Sequence, residues 1–421
     1  MRLFAGRIPA EVDGRYLHWE DLRRRKPPQG LTSEEWWLGV SFARGVLGTE
    51  VPLEDLHGRR FRFARTDALL IALHQIDREM GSSLELSEPH LATREGRNTY
   101  IVRSLMEEAI TSSQLEGAST TRRVAKEMLL EGRRPRTPAE RMIFNNFQAM
   151  ELVRRRAGEA MTPRLLLEIH EEITRETLSP AEIGRWREAD EPVVVQDHAT
   201  GAILHTPPRA EELPARIEAL CAFANERETG PFVHPVVRAI TLHFMVAYNH
   251  PFVDGNGRTA RVLFYWSMVR QKYWLAEFLS ISRILRRAPA QYSRAFLLTE
   301  TDEGDLTYFL LHQLEAIQEA TRDLHAYLDR KSKELRGVEQ RVRVKGSFNH
   351  RQRTLLAHAL RDPSGVYAIE AYRREHGVVY QTARQDLLDL EKAGLLVKRQ
   401  RGRSFLFVPA PDLTRRLEEE P

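Results

Sequence analysis

The fold of this chain is decided at residues 250–261, where the sequence reads HPFVDGNGRTAR. Gly255, Asn256 and Gly257 tolerate backbone dihedrals that most residues avoid, so the stretch predicts a tight turn. Apolar residues recur at helical spacing over residues 259–270, which predicts a helix that begins at the turn. Such a helix N-terminus presents backbone N–H groups and the positive end of the helix dipole, and both attract phosphate.

Charged residues surround this turn at useful spacings. Arg258 and Arg261 are three residues apart, so they project from one helix face and suit a polyphosphate. Asp254 is a candidate Mg²⁺ ligand, and His250 is a candidate proton acceptor. We expect Phe252 to anchor the loop in the core. A lone Gly-Asn-Gly is typical of an ordinary turn, but an acid, a base and two arginines around it indicate chemistry on a nucleotide.

The pattern His-x-Phe-x-Asp-Gly-Asn-Gly-Arg-x-x-Arg at residues 250–261 resembles the complete signature of the Fic-domain family. The resemblance covers about residues 99–315 and implies a mainly α fold, with a helical core and a β-hairpin flap. It also implies the reaction. His250 would deprotonate a target hydroxyl, whose oxygen would attack the α-phosphate of ATP and expel pyrophosphate.

The resemblance assigns further roles around ATP, which is the substrate. Asp254 would bind Mg²⁺ or Mn²⁺ on the α- and β-phosphates, while Arg258 and Arg261 would hold the β- and γ-phosphates. Three residues would form an anion hole with their backbone groups: Gly255, Asn256 and Gly257. Family members that phosphorylate their targets carry lysine at position 257, so the glycine here favours AMP transfer. The stretch 280–292 is expected to contribute to the adenine wall.

Residues 112–117, with the sequence SSQLEG, predict a helix end with Gly117 in the left-handed cap position. Glu116 in the last turn opposes the helix dipole, which is a local inconsistency of the kind that often marks function. The string resembles the motif of the Fic inhibitory helix, and the first residue of that motif is here Ser112. The resemblance implies that Glu116 pairs with Arg261 and occupies the γ-phosphate site. A solvent-exposed glutamate without function is the alternative interpretation.

Residues 193–204 predict a β-hairpin, because apolar β-formers flank a turn-rich segment. The hairpin resembles the family's flap, to which a segment of the protein target would add as an extra strand. An ordinary surface hairpin is the alternative. The apolar residues assigned to the flap are Val193, Val194, Val195, Ile203 and Leu204.

The C-terminal part predicts a small α+β domain of the winged helix-turn-helix type. Its helices are expected around 355–357, over 366–375 and over 382–393, and its two strands flank residues 399–403. Residues 341–403 contain fourteen Lys and Arg against six Asp and Glu, which favours DNA as a partner. Protein contact, including homodimer formation, is the alternative. The candidate DNA-binding residues are Arg384, Gln385, Arg399, Arg401 and Arg403.

The chain of 421 residues is predicted to comprise an accessory region (1–95), a Fic domain (96–330) and the winged helix (340–410). Residues 331–345 are expected to form a charged connector, and residues 58–60 a loop. Cys221 is the single cysteine and is expected in the core. We expect no membrane span and no secretory signal, which fits a cytoplasmic protein.

Together with these patterns, the resemblance to the Fic family implies a protein adenylyltransferase that is autoinhibited through Glu116 and Arg261. Two alternatives use the same residues. In one, the site mainly removes AMP from a modified protein, with Glu116 helping to position a water. In the other, the chain is a nucleotide-sensing, DNA-binding regulator with little turnover, although an intact His250 argues against it.

Overall fold

A computed structural model of the chain describes residues 8–81, 94–196, 201–227, 230–344, 348–363, 365–401 and 404–419. The chain divides into two compact units. The first comprises residues 1–82 and 103–321, and the second comprises residues 83–102 and 322–421. Helices dominate the described residues, so the expectation of a mainly α protein is confirmed. The three predicted domain boundaries remain a prediction.

Thirteen helices precede residue 345 among the described residues, several of them started by a proline whose fixed φ suits the first turn. Threonine side chains cap two of these, at Thr137 and Thr162. The helices are α1 (Trp19–Leu22), α2 (Ser33–Val46), α3 (Asp67–Gly81), α4 (Arg94–Leu115), α5 (Arg122–Glu131), α6 (Pro138–Arg155), α7 (Pro163–Thr174), α8 (Leu213–Ala224), α9 (Pro235–Asn249), α10 (Asn256–Arg270), α11 (Ile281–Leu285), α12 (Pro289–Thr301) and α13 (Thr307–Val344).

Helices α9 and α10 form the centre of the first unit. They pack against each other, and α6, α7 and α8 contact them. Nearly every residue of the two central helices is buried, as expected for helices that are covered on all sides. The connection between them is residues 250–255. The predicted glycine turn therefore lies between two buried helices, which hold its ends in place.

Of the loop and the connector expected at residues 58–60 and 331–345, the first is confirmed and the second was wrong. Gly58 and Arg59 lie in a loop as expected, which is the turn of a β-hairpin formed by β1 (Gly48–Glu54) and β2 (Arg60–Ala64). Apolar side chains alternate on both strands and face the core, which was the signal for a hairpin. Residues 331–344 are not a connector, because α13 continues through them. Lysine, arginine, glutamate and leucine favour helix, so charge alone does not end one.

The expected flap hairpin is present but short. Its strands are β3 (Val195–Gln196) and β4 (Ile203–His205), paired antiparallel with Val195 opposite His205. Val193 and Val194 precede the strand instead of forming part of it. The turn at residues 197–200 lies outside the described residues.

The second unit has the expected order of three helices and two strands, with two additions, the strand β5 and the helix α17. It contains α14 (His350–Arg361), β5 (Tyr367–Ala368), α15 (Ile369–His376), α16 (Tyr380–Lys392), β6 (Leu396–Arg401), β7 (Ser404–Pro409) and α17 (Leu413–Glu419). Residues 367–368, expected to begin a helix, form the short strand β5 that completes an antiparallel sheet in the order β5-β7-β6. Leucines from α14 and α16, Ile369 and Tyr372 from α15, and Phe407 of β7 form one buried core.

Two bulk expectations can be compared with the described part of the chain. No helix there combines the length and apolar character that crossing a bilayer requires. Cys221 is buried in α8, and burial raises the pKa of its thiol to about 12. Such a thiol is almost entirely protonated near neutral pH, as expected for a core residue.

Candidate active site

The turn between α9 and α10 is built by its own side chains. Gly255 has φ +85°, a left-handed conformation that glycine adopts without steric cost. The Asn256 side chain accepts from the Phe252 N–H at 3.0 Å and donates to the Phe252 carbonyl at 2.8 Å. This two-way bridge closes the loop and leaves the Asn256 backbone N–H at the start of α10.

Phe252 anchors the loop as expected, because its side chain is fully buried. His170 of α7 stacks on one ring face at 3.7 Å between centroids, and Trp186 packs within 5.1 Å. The Gly184 N–H donates to His170 Nδ1, so the Nε2–H donates to the Asp254 carbonyl at 3.0 Å. Burial lowers the pKa of His170 to about 4, which keeps the ring neutral. His170 thus holds the loop from the side of α7.

His250 follows the last residue of α9 and adopts a left-handed backbone, with φ 45° and ψ 56°. Its ring Nδ1 lies 3.2 Å from the Ala247 carbonyl. Because a carbonyl only accepts, Nδ1 must carry the proton and Nε2 keeps its lone pair. Burial lowers the pKa of His250, so the neutral form is favoured. The arrangement suits a proton acceptor.

Asp254 and Arg258 lie at the start of α10. Asp254 accepts the Gly255 N–H at 2.6 Å, and its other oxygen lies 3.2 Å from Arg258 Nη2. More than half of the Asp254 side chain is exposed, whereas Arg258 is fully buried and donates to the Ile173 carbonyl. Burial lowers the pKa of Arg258. The pair brings a fixed positive charge and an accessible carboxylate to one end of the helix.

An exposed carboxylate of this kind fits a magnesium ion that arrives with a nucleotide. Magnesium is usually held by one or two carboxylates plus substrate phosphates and water. Within the described residues there is no cluster of three or more His, Cys, Asp or Glu that could hold a metal. Asp254 would therefore share the ion with the phosphates, and the protein alone offers no complete metal cage.

Arg261 meets the end of α4. Its Nε donates to Ser112 Oγ at 2.8 Å, and its Nη2 donates to the Ser112 carbonyl at 3.0 Å and to Glu116 Oε1 at 2.8 Å. Burial lowers the pKa of Arg261, but the Glu116 charge outweighs this and leaves the pKa raised. Burial by itself would raise the pKa of Glu116. Arg261, by its charge and its hydrogen bond, lowers it by more, so the pKa of Glu116 is lowered. Glu116 is therefore ionised and paired.

Glu116 also lies against the glycine turn. A Cβ atom at position 257 would overlap the Glu116 carboxylate. Gly117 follows with φ +91°, which lets the chain leave α4 directly after this contact. The absence of a side chain at Gly257 therefore leaves the space that the carboxylate occupies.

A second carboxylate on α4 reaches the stretch expected to contribute to the adenine wall. Glu108 is buried and accepts from the Ser282 N–H at 3.0 Å, from Ser280 Oγ at 3.1 Å and from the Ser282 hydroxyl. Burial raises the pKa of Glu108. The helix that leads to Glu116 is thus anchored to residues 280–282 about two turns before that glutamate.

The remaining candidates are distributed as follows. Ile203 is well exposed, Val194 is partly exposed, and His205 at the end of β4 is buried. Gln385 on α16 bonds Asp389 at 2.7 Å, and Arg399 is exposed on β6. Both belong to the second unit, as does Arg384. The Arg401 side chain and all of Arg403 lie outside the described residues.

Sequence reasoning missed two residues at this loop, His170 and Arg187. Arg187 donates through Nε to the His250 carbonyl at 2.8 Å. No local pattern points to either residue, because each lies more than sixty positions before its partner in the chain. Only the packing of α7 and of the segment after it against the turn brings them there.

The region that contains this turn is similar in sequence to known proteins. Residues 160–268 match the sequence model of the Fic/DOC family. A protein adenylyltransferase Fic from Nematostella vectensis is 27% identical over 171 residues, 41% of this chain and 35% of that relative. One from Aedes aegypti is 30% identical over 116 residues, 28% of this chain and 21% of that relative. The chain therefore spans about a third or less of the length of these curated relatives.

A solved structure resembles a larger part of the chain. The crystal structure of a Fic family protein from Desulfovibrio desulfuricans G20 aligns with a TM-score of 0.55 at 19% identity. The alignment covers 83% of this chain and 98% of that one. At this identity the likeness establishes a shared fold and carries no statement about substrates.

Proposed function

We propose that this chain, which contains a Fic domain, is a protein adenylyltransferase that moves AMP from ATP to a hydroxyl side chain of a protein target or of itself. The observation that carries the proposal is the state of His250. Its Nδ1–H is directed at the Ala247 carbonyl, so Nε2 is free to accept a proton. It lies four residues before Asp254 in a turn that leads to two phosphate-binding arginines.

In the proposed reaction, the target hydroxyl gives its proton to His250 Nε2 while its oxygen forms a bond to the α-phosphorus. The bond from that phosphorus to the oxygen bridging to the β-phosphate breaks, and pyrophosphate leaves with the electron pair. Burial lowers the pKa of His250, so the ring is mostly neutral near pH 7 and able to accept the proton. Phosphoryl chemistry of this kind depends mainly on positioning and charge.

The phosphates would lie over the N-terminus of α10. Backbone groups of the turn would form the anion hole, with Arg258 on the β-phosphate and Arg261 on the γ-phosphate. A bound Mg²⁺ or Mn²⁺ would neutralise charge on the phosphates, and Asp254 is the residue that would hold it. Residues with backbone groups in the anion hole are Gly255, Asn256 and Gly257. Glycine at 257, where phosphorylating relatives carry lysine, supports AMP transfer over phosphate transfer.

We also propose that Glu116 restrains the enzyme. The contact of its carboxylate with Arg261 at 2.8 Å occupies the guanidinium that would hold the γ-phosphate. Both groups carry full charge, because Glu116 has a lowered pKa and Arg261 a raised one. ATP could then bind in the productive position only after this ion pair separates.

A target would dock on the flap. The strands β3 and β4 form a two-stranded sheet. Val194 directly precedes β3, Ile203 begins β4, and both side chains are exposed. An extended target segment can add to such an edge through main-chain hydrogen bonds, with little demand on its side chains. This mode fits a hydroxyl-bearing loop as substrate.

The test is mass spectrometry of the purified wild type and of Glu116→Gly after incubation with Mg-ATP. We expect a mass increase of one AMP in Glu116→Gly, at a rate about 10²-fold above wild type, because removing the carboxylate frees Arg261 for the γ-phosphate. A factor of this size corresponds to about 3 kcal/mol. Glu131→Gly, which changes an exposed glutamate at the end of α5, should match wild type.

Adding His250→Ala to Glu116→Gly should abolish the modification while ATP binding persists. Retained transfer would remove His250 as the base. Equal labelling of wild type and Glu116→Gly, by ATP labelled in its α-phosphate, would contradict the restraint. No AMP transfer by any variant to itself or to proteins of a cell extract would contradict the proposed activity.

Removal of AMP from a modified protein is a second candidate that the same site supports. About a third of the Glu116 side chain remains exposed next to Gly257, where it could orient a water. Incubating AMPylated protein with wild type and Mg²⁺ or Mn²⁺ would detect this activity as released AMP. Release by wild type that is lost in Glu116→Gln would favour removal as the main reaction.

For the second unit we propose a winged helix that contacts DNA. The order of its helices and its three-stranded sheet supports the domain type, and Lys398 and Arg399 are exposed on β6. Arg384 and Gln385 on α16 would face a groove. A mobility shift whose affinity falls steeply with salt is expected. Absence of any shift at low salt, with a dimer seen by light scattering, would favour protein contact instead.

A further inference from the structure

The carbonyl groups at the end of α9 do not receive the N–H donors that a continuing helix would supply. His250 donates its N–H to Val246 and its ring Nδ1–H to Ala247. The carbonyl groups of His250 and Pro251 both accept hydrogen bonds from one residue, Arg187. Arg187 donates through Nε to the His250 carbonyl at 2.8 Å, and through its backbone N–H to the Pro251 carbonyl at 2.9 Å.

Arg187 also reaches the flap. Its Nη2 donates to the carbonyl of Pro208, three residues after β4 ends at His205. The arginine is 7% exposed, and burial lowers its pKa. A single buried guanidinium therefore ties the outgoing chain of the flap to the backbone of His250.

A parallel contact joins the same two parts of the molecule. His205, the last residue of β4, lies 2.7 Å through Nε2 from the carbonyl of Tyr248 and 2.7 Å through Nδ1 from Glu300. Tyr248 precedes His250 by two residues. The base of the flap is thus linked to the chain on both sides of His250, before it by His205 and after it by Arg187.

The backbone of His250 needs such support. A left-handed conformation is unfavourable for a residue with a side chain, and it persists only where the surroundings impose it. In this conformation the ring turns back to Ala247 and keeps Nε2 free. Arg187 holds the peptide group on the far side of the same residue, so it opposes rotation of that peptide away from the strained geometry.

We propose that Arg187 is a positioning residue for the transfer reaction: it holds His250 in its left-handed conformation and couples that conformation to the flap. The inference rests on the proposed function only for its effect on rate. It differs from a merely structural arginine in one respect. A structural role would change the stability of the fold, whereas a positioning role changes the state of the His250 ring and the rate at saturating ATP.

The experiment uses the full chain with Glu116→Gly as parent, and compares Arg187→Met, Arg187→Lys and the control Arg209→Met. Arg209 is an exposed arginine directly after Pro208, and its side chain forms an ion pair with Glu212. With ¹³C-labelled histidine, the His250 ring resonance is assigned from His250→Gln. We then measure that resonance, the ATP dissociation constant, kcat for AMP transfer and the melting temperature.

For Arg187→Met we expect a shifted or broadened His250 resonance and an unchanged resonance of His74, which is exposed on α3. We expect kcat to fall on the order of 10²-fold, because a displacement of about 1 Å at a reacting group costs that much. ATP binding should change less than about twofold. Arg187→Lys, with one ammonium for two acceptors, should lie between parent and Arg187→Met, and Arg209→Met should match the parent.

An unchanged His250 resonance in Arg187→Met would overturn the inference, whatever happens to the melting temperature. So would a change of the resonance that Arg209→Met reproduces. If Arg187→Met does not fold, the His250 resonance of Arg187→Lys is compared with that of the parent and of Arg209→Met, and the same two outcomes overturn the inference. If the parent transfers no AMP, the proposed function fails, but the resonance still tests whether Arg187 holds His250.

Discussion

Arg258 and Arg261 lie three residues apart on α10, yet their partners come from different parts of the chain. Arg258 meets Asp254, four residues earlier in the same turn, at 3.2 Å. Arg261 meets Glu116 and Ser112 at the end of α4, almost 150 residues earlier. The first pair is part of the turn itself, whereas a separate helix contributes the carboxylate of the second.

Two ion pairs at the start of the same helix can therefore have opposite consequences for catalysis. Asp254 is half exposed and would work with its arginine on the same phosphates. In the proposed function, Glu116 would occupy the place of the γ-phosphate and compete with it. Removing the two carboxylates should therefore have opposite effects on AMP transfer.

The strongest test of the comparison is Asp254→Asn in the Glu116→Gly parent. We expect AMP transfer to fall about 10²–10³-fold, because the charge that a metal neutralises in the transition state is worth several kcal/mol. The measurement is the initial rate of labelled AMP incorporation over a range of Mg²⁺ concentrations. Asp190→Asn, at an exposed aspartate, serves as control. Increased transfer in Asp254→Asn would erase the distinction between the two pairs.

Gly257→Ala tests whether space at the turn is what admits Glu116. The added Cβ would overlap the Glu116 carboxylate, so the pair with Arg261 should already be broken. The gain in ATP affinity caused by Glu116→Gly should then shrink about tenfold in the Gly257→Ala background, a coupling within the usual range for contacting residues. Calorimetry of ATP binding to the four proteins measures it. An undiminished gain would show that Glu116 does not depend on Gly257.

Gly158→Ala is the control for that cycle, since a Cβ at Gly158 meets no atom within 4 Å. It should leave the effect of Glu116→Gly intact. This control separates a local displacement of Glu116 from a general effect of removing a glycine.

The pH dependence of the restraint sharpens the comparison further. The pKa of Glu116 is lowered, so its stabilising pair with Arg261 is present above the ordinary carboxyl range and is lost only as pH falls through the lowered value. The ratio of transfer rates between Glu116→Gly and wild type should therefore stay constant between about pH 5 and pH 8. Rates measured in overlapping buffers test this. A ratio that collapses near pH 6 would assign the restraint to another group.

Ser112→Ala should have the smallest effect. It removes the hydrogen bond from Arg261 Nε to Ser112 Oγ and leaves the Ser112 carbonyl and Glu116 in place. A single such bond is worth about 1 kcal/mol, so ATP affinity should rise about fivefold or less. The neighbour Ser113 bonds Met142 instead, and Ser113→Ala should leave ATP affinity unchanged. A Ser112→Ala effect as large as that of Glu116→Gly would make the serine, rather than the glutamate, the main restraint.

Local patterns predicted what depends on residues near each other in the chain. The turn at 250–257 and its helix follow from glycine and asparagine dihedrals, and α7 follows from apolar spacing and Pro163. Patterns failed where one local signal was given too much weight. The charged stretch 331–345 was interpreted as a connector, although α13 continues through residue 344.

The contacts that adjust the site had no such signal. His170 acts on Asp254 from 84 positions away, and Arg187 acts on His250 from 63. Both contacts are hydrogen bonds to backbone carbonyls, which are present at every residue. A sequence therefore contains nothing that marks which carbonyl will be bonded. The link between Glu116 and Arg261 could be expected only through the resemblance to the Fic family.

By itself, the sequence determined the chemical groups of the turn, the helix N-terminus that follows it and the mainly helical character of the chain, because these depend on dihedral preferences and spacing over a few residues. The tertiary structure alone decided which nitrogen of His250 carries the proton, which arginine is held by a distant carboxylate and which is held by a local one. These outcomes depend on the packing of α4, α7 and the segment around Arg187 against one turn. Such packing is the combined result of burial over the whole unit, and no short stretch of residues specifies it.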